Sequence, residues 1–439
     1  MSKRLTRILV IAVLAGLLLM TAMVNAKNTD PITLKFYSWE TPFKAQDQAV
    51  IKAFEAKNPK IKVDLQYLGD NVFDDYQKKL DLLILSGEKV DVVGLSNSRR
   101  YTNYVMRGML MPMDSLLKSD HTDFNKVYNF NTKVNGVVYG LPGELQVYFV
   151  MLNKSHLDEA KLPVPPLNWT WGDYREYAKK LTKGQGSTKR YGSYFHTWME
   201  YCTMGLFSTK MGYPYYKSDG SFNFDDPMFK QFLKFRYDME NVDKSQMPLI
   251  DIKTSKVTYR DQYFNEKASM IATGTWMLSE IKDQSKFPHN FVTTFAPLPR
   301  WDKNTPEGRT SADAKMWCIP KTAKYPKEAY KFIKFFTTDG MKIRNVVLAS
   351  VNKPGFNNSI IKGIVSDDAK YYDVKALNRV FSNKKLVLNS PTVMPEYTDQ
   401  VNTMFLEETD KYLIGGQPLD QTMENIKRRA QDIADKAKK

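Results

Sequence analysis

The chain has 439 residues, 42% hydrophobic and 26% charged, which excludes a wholly disordered protein and is too long for one small module. Its formal net charge is +16, and aromatic residues reach 13%, with 25 Tyr, 24 Phe and 7 Trp. Such a basic balance fits nucleic acid, an anionic surface or simple solubility, so the compartment has to decide among them.

Residues 1–26 read as a secretory signal. Lys3, Arg4 and Arg7 form a positive start, Ile8 to Val24 carries no charge, and Val24-Asn25-Ala26 offers a small-residue cleavage site after Ala26. An uncleaved anchor is the alternative, since this run stands at the short edge of the roughly 17–25 apolar residues that span a bilayer. No cysteine lies near the cleavage region, so a lipid-anchored N-terminus is not expected. Cleavage removes three basic and no acidic residues and lowers the net charge from +16 to +13. The expected location is periplasmic or at the extracellular cell surface. An exported protein rarely meets the genome, so no nucleic-acid partner is expected.

The mature chain opens with alternation. Ile32, Leu34 and Phe36 share one face of a predicted strand, and a polar break follows at Ser38-Trp39-Glu40-Thr41-Pro42. From Phe43 to Lys57 the apolar residues Ala45, Ala49, Val50, Ala53 and Phe54 recur at helical spacing, and Asn58-Pro59 ends the helix. Ile61, Val63, Leu65 and Tyr67 alternate again, completing strand–helix–strand. A helix over 74–86 ending at Gly87, a buried strand over 90–95 and a helix over 100–109 continue the pattern. This predicts an α/β domain with a mostly parallel sheet, whose ligands meet the loops after the strand C-terminal ends. Those loops hold Ser38-Trp39-Glu40, Leu68-Gly69-Asp70-Asn71 and Ser96-Asn97-Ser98.

Gly136 to Pro142 is turn-rich and Glu144 to Leu152 is strand-like. A proline- and tryptophan-bearing stretch, Leu162 to Trp171, precedes a helix near 174–181. Phe229–Asn241 is helical, and the polar stretch Pro297 to Pro306 is a candidate crossing between domains. Tyr330, Phe332, Ile333 and Phe336 form a core stripe on a helix over 325–338. Two amphipathic helices broken at Gly415-Gly416 fill Gln400 to Lys439. Cys202 and Cys318 show no metal-ligand spacing; a disulfide between them and a pair of buried thiols both stay open. His121, His156, His196 and His289 are scattered, so no metal centre and no cofactor are expected.

Several segments together resemble the extracellular solute-binding proteins of bacterial carbohydrate ABC transporters, the maltose-binding-like family. They are Ile32-Thr-Leu-Lys-Phe-Tyr-Ser-Trp39, Phe54-Glu-Ala-Lys-Asn-Pro-Lys-Ile-Lys-Val63, Val90-Asp-Val-Val93, Gly136-Val-Val-Tyr-Gly-Leu-Pro142 and Tyr148 to Leu157. Further along come Pro165-Pro-Leu-Asn-Trp-Thr-Trp171, Ala296-Pro-Leu-Pro299 and Ile319-Pro-Lys-Thr-Ala-Lys324. The most specific is Phe264-Asn-Glu-Lys-Ala-Ser-Met-Ile-Ala-Thr-Gly-Thr-Trp276, which lacks the family's usual glycine at Asn265-Glu266. The resemblance implies an α/β, two-lobed periplasmic-binding-protein-like fold, each lobe a mostly parallel sheet flanked by helices. The N-terminal lobe would be 27–141 plus 312–345 and the C-terminal lobe 142–311 plus 346–439, with three crossings and a ligand trapped by hinge closure. The implied partners are a mono- or oligosaccharide and the membrane permease subunits of an ABC transporter, and the implied chain is a monomer.

A sugar offers hydroxyls and apolar ring faces, so its receptor needs flat aromatic surfaces and polar groups in a partly dry cleft. The candidate ligand residues are Trp39, Glu40, Asp70, Asn97, Glu144, Tyr148, Trp198, Trp276 and Trp317. Trp169 and Trp171 read as packing residues, and Arg99 and Arg100 as the opening of a surface helix rather than an anion site. The alternatives are a receptor for another solute, such as an anionic sugar or a glycerol phosphodiester, and a secreted carbohydrate-active enzyme. No motif isolates a catalytic pair of carboxylates, so no enzyme is expected.

Overall fold

The computed structural model describes residues 31–209, 214–351, 356–389 and 394–437; the segment read as a secretory signal lies outside the described residues. The strands are β1 (Ile32–Ser38), β2 (Ile61–Tyr67), β3 (Val92–Leu95), β4 (Lys133–Val134), β5 (Val137–Val138), β6 (Gly140–Asn153), β7 (Tyr191–Tyr194), β8 (Ala268–Gly274), β9 (Thr293–Pro297), β10 (Arg309–Cys318) and β11 (Val387–Asn389). Nine form one sheet along β2-β1-β3-β10-β6-β8-β7, with β11 beside β10 and β9 beside β6. Helices flank it on both faces, so the domain is α/β.

The predicted strand–helix–strand opening is present, with the helix at Lys44–Lys57. Asn58 ends it by donating its side-chain amide to the Phe54 carbonyl at 2.9 Å. Every residue of β3 is buried, as expected for a strand covered on both faces. Parallel pairing holds within β2-β1-β3 and between β7 and β8. The sheet is mixed rather than mostly parallel, because β6 and β10 enter antiparallel to their neighbours.

These two long strands carry the chain between the halves of the sheet. One end of β10 pairs with β3 and the other with β11, while β6 pairs first with β10 and then with β8 and β9. A third stretch lies against β6: Leu145 donates its amide to Leu348 and Ser350 donates to Gly143, both at 2.8 Å. Pro297 to Pro306, the stretch expected as a crossing, lies just before β10 in the chain. Cys202 lies in the helix Glu200–Thr209 and Cys318 ends β10; both are free and buried, so no disulfide joins them. The two terminal helices, Thr398–Leu413 and Leu419–Ala437, break at the expected glycines.

Behind β1 and β3, Trp317 is 1% exposed and packs edge-on against Phe36 and Phe336 at 5.2 and 4.8 Å. A Cβ at Gly94 would lie 2.6 Å from the Trp317 ring and 2.9 Å from the Trp39 ring, so only glycine fits in β3 there.

Five buried charges meet where these segments converge. Lys315 of β10 pairs with Glu40, which follows β1, and lies 2.9 Å from Glu144 of β6. Arg344 lies 2.9 Å from both Glu40 and Asp47, 3.6 Å from Glu144, and over the Phe43 ring at 4.3 Å. Tyr67 donates its hydroxyl to Asp47 at 3.0 Å. Burial pushes the Glu40 carboxyl up, but Arg344 and Lys315 outweigh it and hold it below the usual range. Burial dominates at Glu144, which stays raised with help from Glu40. Asp47 is pushed up to about 6 by burial, against the pull of Arg344.

Two outcomes follow. Arg344→Ala leaves buried carboxylates under-compensated and should lower stability by about 3–5 kcal/mol in urea unfolding. An unfolded Asp titrates at about 3.9, so between about pH 4 and 6 folded Asp47 retains a proton that the unfolded chain has lost, and its contribution to stability falls as pH rises through that window. Asp47→Asn abolishes this titration, so over the same window its urea midpoint should drop less, relative to its own value at pH 4, than that of the unaltered chain.

Candidate functional site

The parallel strands β1 and β3 end on one side of the sheet, and their following loops approach β10. Asn97 caps the helix Ser98–Met106 by accepting from the Arg100 amide at 2.9 Å, which fixes Ser98 at the helix start. Ser98 donates its amide and its hydroxyl to Asp313 Oδ1 of β10 at 3.0 and 2.6 Å, and the Ala314 amide donates to the same oxygen at 2.7 Å. Asp313 Oδ2 accepts no hydrogen bond from any described residue. Burial pushes this carboxyl up to about 6, against the Ser98 and Ala314 bonds, and the charge of Glu200 adds to the push.

From the other half of the sheet come aromatic rings. Tyr148 lies on β6 opposite Gly274 of β8, and Trp276 follows β8 by two residues. A Cβ at Gly274 would stand 1.9 Å from the Trp276 ring, so the indole folds back over the bare glycine backbone. This is the physical content of the Gly-Thr-Trp sequence. Trp276 meets Tyr148 edge-on at 5.5 Å and tilts against Trp198 at 6.1 Å; Trp198 meets Tyr259 at 5.2 Å and His196 at 5.0 Å. Trp198 and Trp276 are half-buried, leaving part of each ring open. The Trp276 indole N–H is buried without a well-formed hydrogen bond, close to the Tyr259 hydroxyl.

Glu200 opens the helix Glu200–Thr209 beside these rings. Burial raises its carboxyl, against a bond from its own amide and the charge of Arg99. Burial raises the Tyr148 hydroxyl, and the charges of Glu200 and Asp313 add to the push. His196 is held down to about 4 by burial and by Arg236 and Arg260, which keeps it neutral near pH 7. The arrangement presents aromatic faces and hydrogen-bond acceptors where the halves of the sheet meet. It also carries contacts across that junction: Arg99 pairs with Asp399 of the helix Thr398–Leu413, and Asp70 pairs with Lys286 at 3.4 Å.

Of the residues expected to touch a ligand, Tyr148, Trp198 and Trp276 come together here. Asp70 is exposed, accepts from Thr41 at 2.7 Å and meets Lys286 at the edge of the junction. The Asn97 side chain is occupied in capping. Trp39, 5% exposed, is enclosed by Phe73, Tyr76 and Trp317, and Trp317 lies deeper still, so both rings belong to the core. Glu40 and Glu144 are each 1% exposed, and their charges are directed to Lys315 and Arg344 rather than outward. Arg100 pairs with Asp74 at 2.8 Å, as suits a surface helix. Trp169 and Trp171 are buried, Trp169 donating to the Pro297 carbonyl at 2.8 Å.

Sequence reasoning missed Asp313, Glu200 and Tyr259. A charged residue between alanines in Ser311-Ala-Asp-Ala314 was the available signal for Asp313; Glu200, close after Trp198, had a weaker one. Among the described residues no group of three or more His, Cys, Asp or Glu is arranged to hold a metal ion, and no helix is long and apolar enough to cross a membrane.

The chain is 26% identical over 327 residues to the multiple sugar-binding protein of Streptococcus mutans, a match covering 72% of this chain and 73% of that one. Its fold superposes on the ABC substrate-binding protein Lmo0181 of Listeria monocytogenes, solved with cycloalternan, with a TM-score of 0.74, 21% identity and coverage of 93% and 99% of the two chains. It superposes equally broadly on UgpB of Mycobacterium tuberculosis, solved with glycerophosphocholine: TM-score 0.70, 18% identity, coverage 94% and 100%. The family model described as bacterial extracellular solute-binding protein matches residues 37–343, and the chain belongs to that family.

Proposed function

We propose that the protein is the carbohydrate-binding component of an ABC transporter: it captures a sugar or oligosaccharide between two lobes and delivers it to membrane permease subunits. The observation that carries this reading is the ring cluster of Tyr148, Trp198, Tyr259 and Trp276, with Glu200 opening a helix two residues after Trp198 and Asp313 held by Ser98 on β10. Aromatic faces cover the C–H faces of a pyranose while carboxylates accept from its hydroxyls. The sugar-binding name of the Streptococcus mutans relative and the oligosaccharide in the Listeria monocytogenes structure point the same way.

In this reading the lobes comprise 27–141 plus 312–345 and 142–311 plus 346–439, and β6, β10 and the stretch around 346–351 form the hinge. The Arg99–Asp399 and Asp70–Lys286 pairs latch the closed state. The chain is exported, with cleavage after Ala26, works as a monomer and turns over no substrate. Incubation with oligosaccharides that produced hydrolysis would overturn the receptor reading.

Calorimetry and thermal-shift measurements with maltotriose, mannotriose and a wider oligosaccharide panel test it: a bound sugar raises the melting temperature by mass action. Burying an aromatic side chain is worth about 1.5–3 kcal/mol, so Trp276→Ala should weaken the bound sugar by about 10- to 150-fold while the unliganded protein still unfolds cooperatively. Arg99→Ala removes one latch contact of about 1 kcal/mol at most and should raise Kd by up to about fivefold, mainly through faster release in stopped-flow.

A further inference from the structure

The net charge of +16 would favour an anionic ligand, but the charge at the site has the opposite sign. The arginines whose charge acts on Glu200, Tyr259 and His196 are held by carboxylates of their own, and Arg309, farther along β10, donates to the Thr209 carbonyl at 3.4 Å. Arg99, which also acts on Glu200, pairs with Asp399. Arg260 is gripped by both oxygens of Glu280 at 2.6–2.9 Å and lies over Tyr259. Arg236 is bound by Glu240 at 2.7 Å. His196, the imidazole among the rings, is neutral near pH 7.

Asp313 and Glu200 stand differently. Neither has a Lys, Arg or His at ion-pair distance among the described residues. Asp313 is anchored through Oδ1 alone, which fixes the group and leaves Oδ2 able to accept. The ring faces add to the effect, since an aromatic face carries the negative end of its quadrupole and attracts cations rather than anions.

We propose that Asp313 and Glu200 make this a charge-selective site, which takes uncharged or amine-bearing glycans and rejects uronates. Hydroxyl and ammonium groups donate to the two carboxylates, whereas a uronate carboxylate would be desolvated against like charges, with Arg99, Arg236 and Arg260 already paired. The inference rests on the carbohydrate reading. It separates the overall charge of the chain from the charge its ligand meets.

The test is calorimetry on the whole mature protein with three sets of trisaccharides. The neutral set is maltotriose, mannotriose and cellotriose; the cationic probe is the chitosan trimer; the anionic probes are trigalacturonate and triglucuronate. The expected result is binding in the neutral or cationic sets and at least tenfold weaker binding of uronates. Glu200→Gln and Asp313→Asn keep the side-chain shape and an acceptor oxygen. Each should narrow the gap between the tightest uncharged or cationic glycan and the uronates by about tenfold. Tightest binding by a uronate, or a gap that neither variant narrows, would overturn the inference while the carbohydrate reading stands. Absence of binding by any of the probes would remove the carbohydrate reading, and the inference with it.

Discussion

Arg344 and Lys315 hold Glu40, Asp47 and Glu144 together in a place from which water is excluded, and the architecture of the junction depends on that arrangement. The five residues come from five different stretches: the loop after β1, the helix Lys44–Lys57, β6, β10 and the helix Asp339–Arg344. Removing such charges from water is expensive, and the expense is recovered only with close partners on each side. The cluster is therefore intolerant of displacement. A slip of β10 by one residue would turn Lys315 toward the apolar side of the sheet and strand Glu40 and Glu144. Buried charge here acts as a register pin for the two strands that carry the chain between the halves.

That pin has a consequence for the site. Asp313 precedes Lys315 by two residues on β10, and Tyr148 follows Glu144 by four on β6. The β10–β6 pairing shifts by one residue between Ala314 and Met316, so the cluster grips both strands at that irregularity and Asp313 and Tyr148 lie just beyond it. The tryptophans divide along the same boundary. Trp39 and Trp317 pack behind the cluster, in contact with Gly94, and serve the core. Trp198 and Trp276 lie beyond it, where the rings are only half covered. Gly274 matters in the same way as Gly94: the missing Cβ lets an indole lie on the backbone, which orients Trp276 more firmly than a free rotamer would.

Much of the fold was legible because it follows short-range pattern. The alternation of Ile32, Leu34 and Phe36, the helical spacing up to Phe54 and the stop at Asn58-Pro59 correspond to observed elements nearly residue for residue. The strand β10 was not legible. Arg309-Thr-Ser-Ala-Asp-Ala-Lys-Met-Trp-Cys318 contains charged residues that are driven into a sheet only because their partners wait there from distant parts of the chain. The site divided for the same reason. Tryptophan, tyrosine and carboxylates can be recognised as sugar-binding chemistry, but whether Glu40 meets a ligand or Lys315 is settled by a contact 275 residues away. Glu200 and Asp313 gain meaning only when the fold brings the charges of both to bear on Tyr148.

The charge of the chain illustrates the difference between a sum and a field. The surplus of Lys and Arg is carried by residues such as Lys89, Lys118, Lys180 and Lys375, which are exposed. Water and salt screen those charges over about 8 Å at physiological ionic strength. At the ring cluster, the polar surroundings are partly dry, and the few groups within reach act through a lower dielectric. There the arginines are already satisfied by Asp399, Glu280 and Glu240, and two carboxylates are left over. A basic exterior and an acidic candidate site are thus compatible in one molecule, because water and salt screen the exterior charges while the groups at the site act at short range.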